Sequence, residues 1–436
     1  MRGNRGIALW KKAKTIIPGG SQLLSKRSEI FLPDLWPSYY SRAKGISIWD
    51  LDGHRYTDMS IMGVGACILG YADPDVNRAV MGAVRDGSMA TLNCPEEVEL
   101  AELLLSLHPW AGMVRYARSG GEAMAIAVRI ARAFSGRDTV AFCGYHGWHD
   151  WYLSSNLAED SNLDGHLLPG LLPLGVPRGI ANTAIPFEYN RLDQLEEVVE
   201  GHDIGVIAME PVRHHLPEPG FLEGVRKIAD REDAVLIFDE ITSGWRMNVG
   251  GVHATLGVPP DLAVYAKGIA NGYPMAAVVG RSEVMEKAQE SFISSTFWTE
   301  RVGPVAALAT IRKMRRLDVP SHLIRIGTEF ARRIGETAGD ASLLVHVAGI
   351  PPLTSFSFDH PENQVMQTLF TQEMLERDFL ASKNFYVALP HTEKEIDRYM
   401  DEAAEVFSTI RAGLEKGNLK RLLRGPVAHE GFRRLT

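Results

Sequence analysis

Apolar runs of strand length alternate with amphipathic helical segments through the middle of this chain. A helical spacing of leucine and valine covers residues 96–107, and further helices are predicted for residues 121–134 and 221–232. Around and between them lie the predicted strands MVRYA, TVAFC, IGVIAME, AVLIFDE, AVYAK and MAAVVG. Strands that alternate with helices indicate an α/β protein with a mostly parallel sheet, whose ligands lie at the carboxyl ends of the strands.

The pattern changes on both sides of this region. The first fifty-odd residues are irregular, and Asp52-Gly53 marks a hairpin turn between alternating strands at residues 45–59. After a helix that ends near Leu317, shorter strands and a last helix beginning near Thr392 predict a smaller α+β unit. We therefore predict an N-terminal segment over residues 1–55, a large domain over 56–308 and a small C-terminal domain over 309–436.

Length and composition are those of an ordinary globular protein. The 436 residues suffice for two domains, with 45% hydrophobic and 23% charged residues. A net charge of −8 gives no reason to expect nucleic acid or an anionic membrane as a partner. We see no secretory signal and no apolar run long enough to span a membrane. The widely separated Cys67, Cys94 and Cys143 predict neither a disulfide framework nor a metal site, so we expect a cytoplasmic protein.

The segment from Ala234 to Gly272 carries the most informative chemistry. One strand ends in Asp239-Glu240, and the next delivers Lys267 into a glycine-containing turn. A lysine amine forms a Schiff base with pyridoxal phosphate (PLP), and a carboxylate keeps the pyridine nitrogen of that cofactor protonated so that the ring accepts electrons. An acid and a lysine at the ends of neighbouring strands therefore favour a PLP site. The alternatives are an ion pair or helix cap for the two acids and a surface charge for the lysine.

Three further motifs lie where predicted strands end. The stretch Ser119, Gly120 and Gly121 opens a helix whose first N–H groups can bind a phosphate, although the same sequence is also an ordinary N-cap. Tyr145, in GYHGWHD, can stack on a flat ring. Glu210 can face the 3-hydroxyl side of the cofactor.

Other polar residues leave more than one interpretation open. Arg213 can meet a carboxylate or phosphate of the substrate, or it is a solvated loop residue. Thr296 precedes a helix and suits a phosphate contact or a plain N-cap. A rival metal site would use histidines 146, 149, 214 and 215, but no acidic ligand stands at a matching spacing. We therefore predict no metal.

Together these motifs resemble the class-III PLP-dependent aminotransferases, most closely the glutamate-1-semialdehyde 2,1-aminomutase-like branch. The similarity runs from GISIWDLDGHRYTDMS to LPHTEKEID, through SGGEAMAIAVRIARAFSGRD, GYHGWHD, MEPV, FDEITSGWR and AKGIANGYPMAAVVG. The resemblance implies the PLP-dependent transferase fold, aspartate aminotransferase-like, whose large domain has a mostly parallel seven-stranded sheet. It also implies a homodimer with active sites at the interface.

Positions in these motifs carry roles that the resemblance implies. Lys267 carries the Schiff base and moves protons, and Asp239 pairs with the pyridine nitrogen. Tyr145 lies over the ring, Glu210 lies near the ring hydroxyl, and Thr296 reaches the phosphate bound in the partner subunit. The implied cofactor site comprises Ser119, Gly120, Gly121, Tyr145, His146, Glu210, Asp239, Lys267 and Thr296.

Three departures from the family pattern bear on the cofactor and the substrate. Gly121 replaces the threonine of the usual Ser-Gly-Thr-Glu-Ala, which removes a side-chain contact with the phosphate. The aminomutase stretch Ser-Pro-Val-Arg, whose arginine binds the semialdehyde carboxylate, aligns with Ser21-Gln22-Leu23-Leu24. Lys383 or Asn384 aligns with a glutamate of the aminomutase active-site rim. The last two changes argue against glutamate-1-semialdehyde as substrate.

We predict a PLP-dependent aminotransferase that moves an amino group from an amino-acid donor, expected to be glutamate, to a ketone or aldehyde acceptor. The early sequence is similar to aminotransferases of amino-sugar, cyclitol and secondary-metabolite pathways, so we expect an acceptor of that kind. Ser21, Lys26, Arg213 and Arg246 are candidates for binding the substrate. The alternatives are an aminomutase, which is an isomerase and needs no external donor, a non-catalytic PLP-fold binding protein, and a metal-dependent hydrolase.

Overall fold

A computed structural model describes residues 5–212 and 215–430 and divides the chain into two compact units. One unit is continuous and covers residues 74–320. The other unit joins residues 1–73 with residues 321–436. The described residues of the N-terminal segment predicted for residues 1–55 lie in this second unit, together with residues 321–430.

Strands occur in both units and are numbered here in chain order. The described ranges contain β1 Tyr40–Lys44, β2 Ser47–Asp50, β3 Arg55–Met59, β4 Met113–Ala117, β5 Thr139–Cys143, β6 Ala184–Pro186, β7 Ile204–Met209, β8 Val235–Asp239, β9 Leu262–Tyr265, β10 Ala276–Gly280, β11 Val345–Ala348, β12 Leu353–Phe358, β13 Phe379–Ala381 and β14 Asn384–Tyr386.

Helices surround these strands and are numbered in the same way. They are α1 Arg5–Ile16, α2 Ser28–Phe31, α3 Pro74–Asp86, α4 Glu96–Leu107, α5 Gly120–Ser135, α6 Asp150–Leu153, α7 Leu192–Gly201, α8 Phe221–Arg231, α9 His253–Leu256, α10 Ser282–Met285, α11 Lys287–Glu290, α12 Val302–Leu317, α13 Val319–Asp340, α14 Asn363–Glu376 and α15 Glu393–Glu415. None of these helices is long and apolar enough to cross a lipid bilayer.

The unit of residues 74–320 is built on a seven-stranded sheet of order β4-β10-β9-β8-β7-β5-β6. Strand β10 pairs antiparallel with both β4 and β9, and the other four pairings are parallel. Every residue of β7, β8, β9 and β10 is buried, as expected for strands covered on both faces. The predicted mostly parallel seven-stranded sheet is confirmed.

Two apolar clusters cover the faces of this sheet. Helix α5 supplies Met124 and Ile130 to one cluster, where they join Phe142 of β5. Cys143, the next residue along β5, lies in the opposite cluster with residues of α7 and α8, such as Val225. Side chains alternate between the faces of a strand, so successive residues at the end of one strand serve different sides of the sheet.

The other unit contains two smaller sheets. Strands β1-β2-β3-β13 form a four-stranded sheet, and β11-β12-β14 form a three-stranded sheet. Strands β2 and β3 pair antiparallel across Gly53, which has a φ of 85°, so the predicted Asp52-Gly53 hairpin is confirmed. Helices α14 and α15 pack through the stacked rings of Phe370 and Phe407. These elements form the smaller α+β part of the predicted fold.

Candidate active site

Strand register brings the sequence motifs to one edge of the seven-stranded sheet. The parallel pairings join Cys143 to Met209, Met209 to Phe238, and Asp239 to Val264. The strands β5, β7, β8 and β9 therefore end at nearly the same level. Gly144, Glu210, Asp239 and Lys267, which end or follow these strands, lie at the edge where parallel sheets bind ligands.

Lys267 occupies a strained position just beyond β9. Its backbone is left-handed, with a φ of 48°, and such strain in a non-glycine residue costs on the order of 1–3 kcal/mol. Its Nζ donates a hydrogen bond to Oγ1 of Thr242 at 2.8 Å. Burial lowers the pKa of the Lys267 amine and the charge of Arg246 lowers it further, against the opposing effect of Glu210 and Asp239. A larger share of this amine is therefore neutral, and so nucleophilic, than in a solvated lysine.

Asp239 is a buried carboxylate with two partners, and only 3% of its surface is exposed. Its Oδ2 lies 2.8 Å from Nδ1 of His146, and its Oδ1 accepts the N–H of Ile241 at 3.0 Å. An ionised carboxylate can only accept, so Nδ1 of the buried His146 carries the proton. Its Nε2 is buried without a hydrogen-bond partner in the described part of the chain. The bond between His146 and Asp239 ties the GYHGWHD loop to the end of β8.

The second acid of the pair has a different partner. Glu240 is fully buried, and its Oε1 accepts both the N–H and the ring Nδ1–H of His253, at 2.9 and 2.8 Å. Its Oε2 accepts the hydroxyl of Ser243 at 2.7 Å. Glu240 is thus held in place by hydrogen bonds from His253 and Ser243. These bonds fix both ends of the turn that carries Thr242 and Arg246.

The start of α5 is shaped by small residues. Glu122 accepts the N–H groups of Arg118 and Ser119 at 3.2 and 2.9 Å, which closes a capping box at this end of the helix. A Cβ atom added to Gly120 would lie 2.8 Å from Cδ1 of Ile241. The helix N-terminus thus lies directly against the turn that follows Asp239, and the lack of a side chain at Gly120 leaves room for Ile241.

Tyr145 and Glu210 lie on the side of the site next to β5 and β7. Oε2 of Glu210 accepts the N–H of Tyr145 at 3.1 Å, and a Cβ atom on Gly144 would lie 2.7 Å from the same carboxylate oxygen. Burial raises the pKa of the Tyr145 hydroxyl, with smaller contributions from the charges of Asp239 and Glu210. The tyrosine side chain is therefore close to both acids.

Thr296 and Arg246 also lie in the unit of residues 74–320. Thr296 is exposed and begins a short 3-10 turn, Thr296–Thr299. Arg118, which precedes α5, donates a hydrogen bond to the carbonyl of Trp298 in this turn at 2.9 Å. This bond connects the turn to the start of α5. Arg246 is buried, and its Nε donates to the carbonyl of Thr242 at 2.7 Å. Thr242 thus contacts Lys267 through its hydroxyl and Arg246 through its backbone.

Two of the predicted substrate residues lie outside the part of this unit that the structure describes. Ser21 lies in the other unit, where its Oγ accepts the N–H of Leu23 at 3.3 Å. Arg213 lies outside the described residues, as does His214.

The groups at this edge fit pyridoxal phosphate. The site has an amine whose protonated form is destabilised, a buried carboxylate beside it, and a glycine-rich helix N-terminus. Nδ1 of His149 is buried next to that N-terminus without a hydrogen-bond partner in the described ranges, as expected of a position that an anion completes. In the same ranges no three histidine, cysteine, aspartate or glutamate side chains are arranged to hold a metal ion.

Residues 34–399 match the model of the family Aminotransferase class-III, and the chain belongs to that family. One relative, a glutamate-1-semialdehyde 2,1-aminomutase of Syntrophobacter fumaroxidans, is 32% identical over 94% of this chain and 99% of its own length. Another, a 2'-deamino-2'-hydroxyneamine transaminase of Streptomyces kanamyceticus, is 28% identical over 86% and 92%. The predicted resemblance is confirmed.

A solved structure of a transaminase with PLP bound superposes with a TM-score of 0.82 at 25% identity, covering 94% of this chain and 99% of that one. The predicted PLP-dependent transferase fold is therefore confirmed. The family and this structure also identify pyridoxal phosphate as the cofactor. The protein is an enzyme of the transaminase class, with aminomutases among its relatives.

Thr242 is the neighbour of Lys267 that sequence analysis did not single out. It stands within the quoted motif FDEITSGWR, three residues after Asp239. A hydroxyl residue in a turn is too common to attract attention on its own. Only the folded chain shows that its side chain faces the amine.

Replacing Arg246 with methionine is expected to raise the pKa of Lys267, because a neighbouring positive charge is removed. The measurement is the pH dependence of acylation of Lys267 in the apoenzyme, followed by mass spectrometry. Arg78→Met, which changes an exposed arginine of α3, is the matched control. An unchanged or lower midpoint in folded Arg246→Met protein would show that this charge does not act on the amine.

Proposed function

We propose that Lys267 and Asp239 are the catalytic residues of an aminotransferase that takes an amino group from an amino-acid donor, glutamate in this proposal, and gives it to a ketone or aldehyde. The observation that carries the proposal is the Lys267 amine, with its lowered pKa, beside the buried Asp239 carboxylate. Pyridoxal phosphate, when bound, supplies an aldehyde that condenses with amines and a ring that stabilises negative charge on the adjacent carbon.

Lys267 is proposed to accept and return the proton that leaves the α-carbon of the donor. A general base needs its pKa near the working pH, and burial together with Arg246 moves the pKa of this amine downwards. The hydroxyl of Thr242 holds Nζ at 2.8 Å, which limits where the amine can reach. Proton transfer is thus assigned to Nζ of Lys267, whose position the Thr242 hydroxyl fixes.

Asp239 is proposed to face the pyridine nitrogen and hold it protonated. A buried carboxylate is costly unless a cation or hydrogen-bond donors compensate it. His146 and the N–H of Ile241 each donate to one of its oxygens, which fixes the orientation of the carboxylate. The negative charge of Asp239 is proposed to stabilise the protonated pyridine nitrogen and so to raise the pKa of that nitrogen.

The remaining cofactor contacts follow from the shape of the site. The start of α5, over Ser119, Gly120 and Gly121, is proposed to hold the phosphate. The N–H of Ser119 donates to Glu122, so the donors in this proposal are the N–H groups of Gly120 and Gly121, which as the first of the helix have no intrahelical partner. Tyr145 is proposed to cover the ring, and Glu210 to lie near the ring hydroxyl.

We further propose a homodimer in which Thr296 of a second copy reaches the phosphate. Large apolar side chains are exposed on the unit of residues 74–320: Leu92 at 83%, Trp148 at 69%, Phe292 at 89% and Phe297 at 68%. Trp148 is close to the start of α5. Phe297 lies in the turn Thr296–Thr299, which the hydrogen bond from Arg118 connects to the same helix end. A soluble protein gains by burying such residues, and a second copy buries them symmetrically.

The acceptor is proposed to be a keto-sugar, a keto-cyclitol or a related secondary-metabolite intermediate. A relative named as a hydroxyneamine transaminase supports this choice. The absence of arginine from Ser21-Gln22-Leu23-Leu24 argues against the substrate of the aminomutases. Ser21, Lys26, Arg213 and Arg246 remain proposed substrate contacts, and the charge of Arg246 also lowers the pKa of the Lys267 amine. The three cysteines are free thiols, which supports a cytoplasmic enzyme.

Replacing Lys267 with alanine is expected to reduce transamination by about 10²–10⁴-fold or more, because the general base is lost. Borohydride reduction of the holoenzyme should leave the cofactor on the Lys267 peptide of the parent enzyme and on no peptide of the variant, as read by mass spectrometry. Lys287→Ala, on α11 of the same unit, is the control. Normal turnover by Lys267→Ala would refute the assignment.

Replacing Asp239 with asparagine is expected to lower turnover by about two orders of magnitude or more, since the charge that stabilises the protonated nitrogen is removed. The control is Asp230→Asn on helix α8, which makes the same change in net charge at an exposed position away from the site. Steady-state rates under saturating cofactor test this. A variant as fast as the parent would mean that another group protonates the ring.

Turnover is expected to require an external amino donor. Enzyme supplied with glutamate and a panel of keto-sugars, keto-cyclitols and amino-aldehydes should form 2-oxoglutarate in step with the aminated product, measured by chromatography. The same mixtures without glutamate should show no more than one turnover. Sustained conversion of an amino-aldehyde without any donor would instead identify an aminomutase.

A further inference from the structure

The imidazole of His149 fills the space beside Gly121. A Cβ atom added to Gly121 would lie 3.0 Å from both Nδ1 and Cε1 of His149, and the next nearest atom, Cδ1 of Trp148, lies 3.8 Å away. Gly121 is the second residue of α5 and does not have a left-handed backbone. A side chain at this position is therefore opposed by the neighbouring ring and not by the backbone conformation. The histidine stands where a side chain at position 121 would stand.

The nitrogen that faces this helix end is buried and without a partner. Nδ1 of His149 has no hydrogen bond to any residue in the described ranges. Buried polar atoms in native proteins are nearly always hydrogen-bonded, so such an atom calls for a ligand or an ordered water. The first N–H groups of α5, which carry the positive end of the helix dipole, lie beside it. An anionic oxygen would satisfy both.

The surrounding charges are compatible with an N–H donor at this nitrogen. Burial lowers the pKa of His149, and the carboxylates of Glu122 and Asp150 oppose that effect. Glu122 is occupied by the N–H groups that precede the helix, as described above. The ring of His149 also packs against Trp148, with 4.5 Å between the centroids, which restricts its rotation. A neutral imidazole, which can carry its proton on Nδ1, is thus held against the helix N-terminus.

We propose that His149 is a cofactor-binding residue whose Nδ1–H donates to the phosphate held at the start of α5. It supplies from the GYHGWHD loop the side-chain donor that Gly121 lacks. This inference rests on the proposed function, because it takes the start of α5 as the phosphate site. The positions 121 and 149 then share one role, and a hydroxyl at 121 could replace the imidazole.

The test is the affinity of the apoenzyme for pyridoxal phosphate and for pyridoxal, which lacks the phosphate, measured by quenching of tryptophan fluorescence. His149→Ala is expected to weaken binding of pyridoxal phosphate by about tenfold or more and to leave binding of pyridoxal unchanged. His149→Asn keeps a side-chain N–H near the position of Nδ1 and should bind within about threefold of the parent. His202→Ala, an exposed histidine of the same unit, is the matched control.

A double variant separates a phosphate contact from simple filling of space. Gly121→Thr alone should bind the cofactor poorly, because the new Cβ atom meets the His149 ring at 3.0 Å. Gly121→Thr combined with His149→Ala removes that clash and places a hydroxyl at the helix N-terminus, so affinity for pyridoxal phosphate should return to within about threefold of the parent. If His149→Ala alone does not fold, this double variant and His149→Asn decide the question.

Two results would overturn the role of His149. One is folded His149→Ala protein that binds pyridoxal phosphate as tightly as the parent. The other is a parallel loss of pyridoxal phosphate and pyridoxal binding, which would show that the ring only supports the fold. Neither result bears on the proposed role of Lys267. Failure of the proposed function would show instead in the parent enzyme, as the absence of a borohydride-stable cofactor on the Lys267 peptide.

Discussion

Parallel pairing among β5, β7, β8 and β9 is the constraint on which the rest of this site depends. Because the four strands end at one level, residues more than a hundred positions apart in the chain meet at one edge. The strands are buried on both faces, so a shift of their register would expose apolar side chains and is strongly disfavoured. The positions of the residues at this edge are thus set by the core of the sheet.

Two adjacent acids at the end of β8 show how the chain uses this edge. Asp239 and Glu240 are both buried, and each is compensated by a histidine from a different segment, His146 and His253 respectively. One pair fixes the loop after β5, and the other fixes the turn that contacts Lys267. A buried acid without such a partner would be expensive, so each pair also defines where its segment must lie.

Much of this arrangement could be predicted from sequence, because it depends on local patterns. The apolar runs of β7, β8 and β9 predicted buried parallel strands. Asp239 and Lys267 were predicted to lie close together because they follow strands that are consecutive along the chain. The contacts of Thr242 and His149 could not be predicted in this way. They depend on which side chains face each other across turns that are distant in the chain, and hydroxyl and imidazole groups in loops have many possible partners. The grouping of the N-terminal segment with the C-terminal part of the chain also rests on long-range contacts that leave no local signal.

The left-handed backbone of Lys267 sets stability against activity at a single position. Glycine would adopt the φ of 48° without penalty, and so would relieve the turn, but it has no amine. Under the proposed function, stability and catalysis therefore favour different residues at this position.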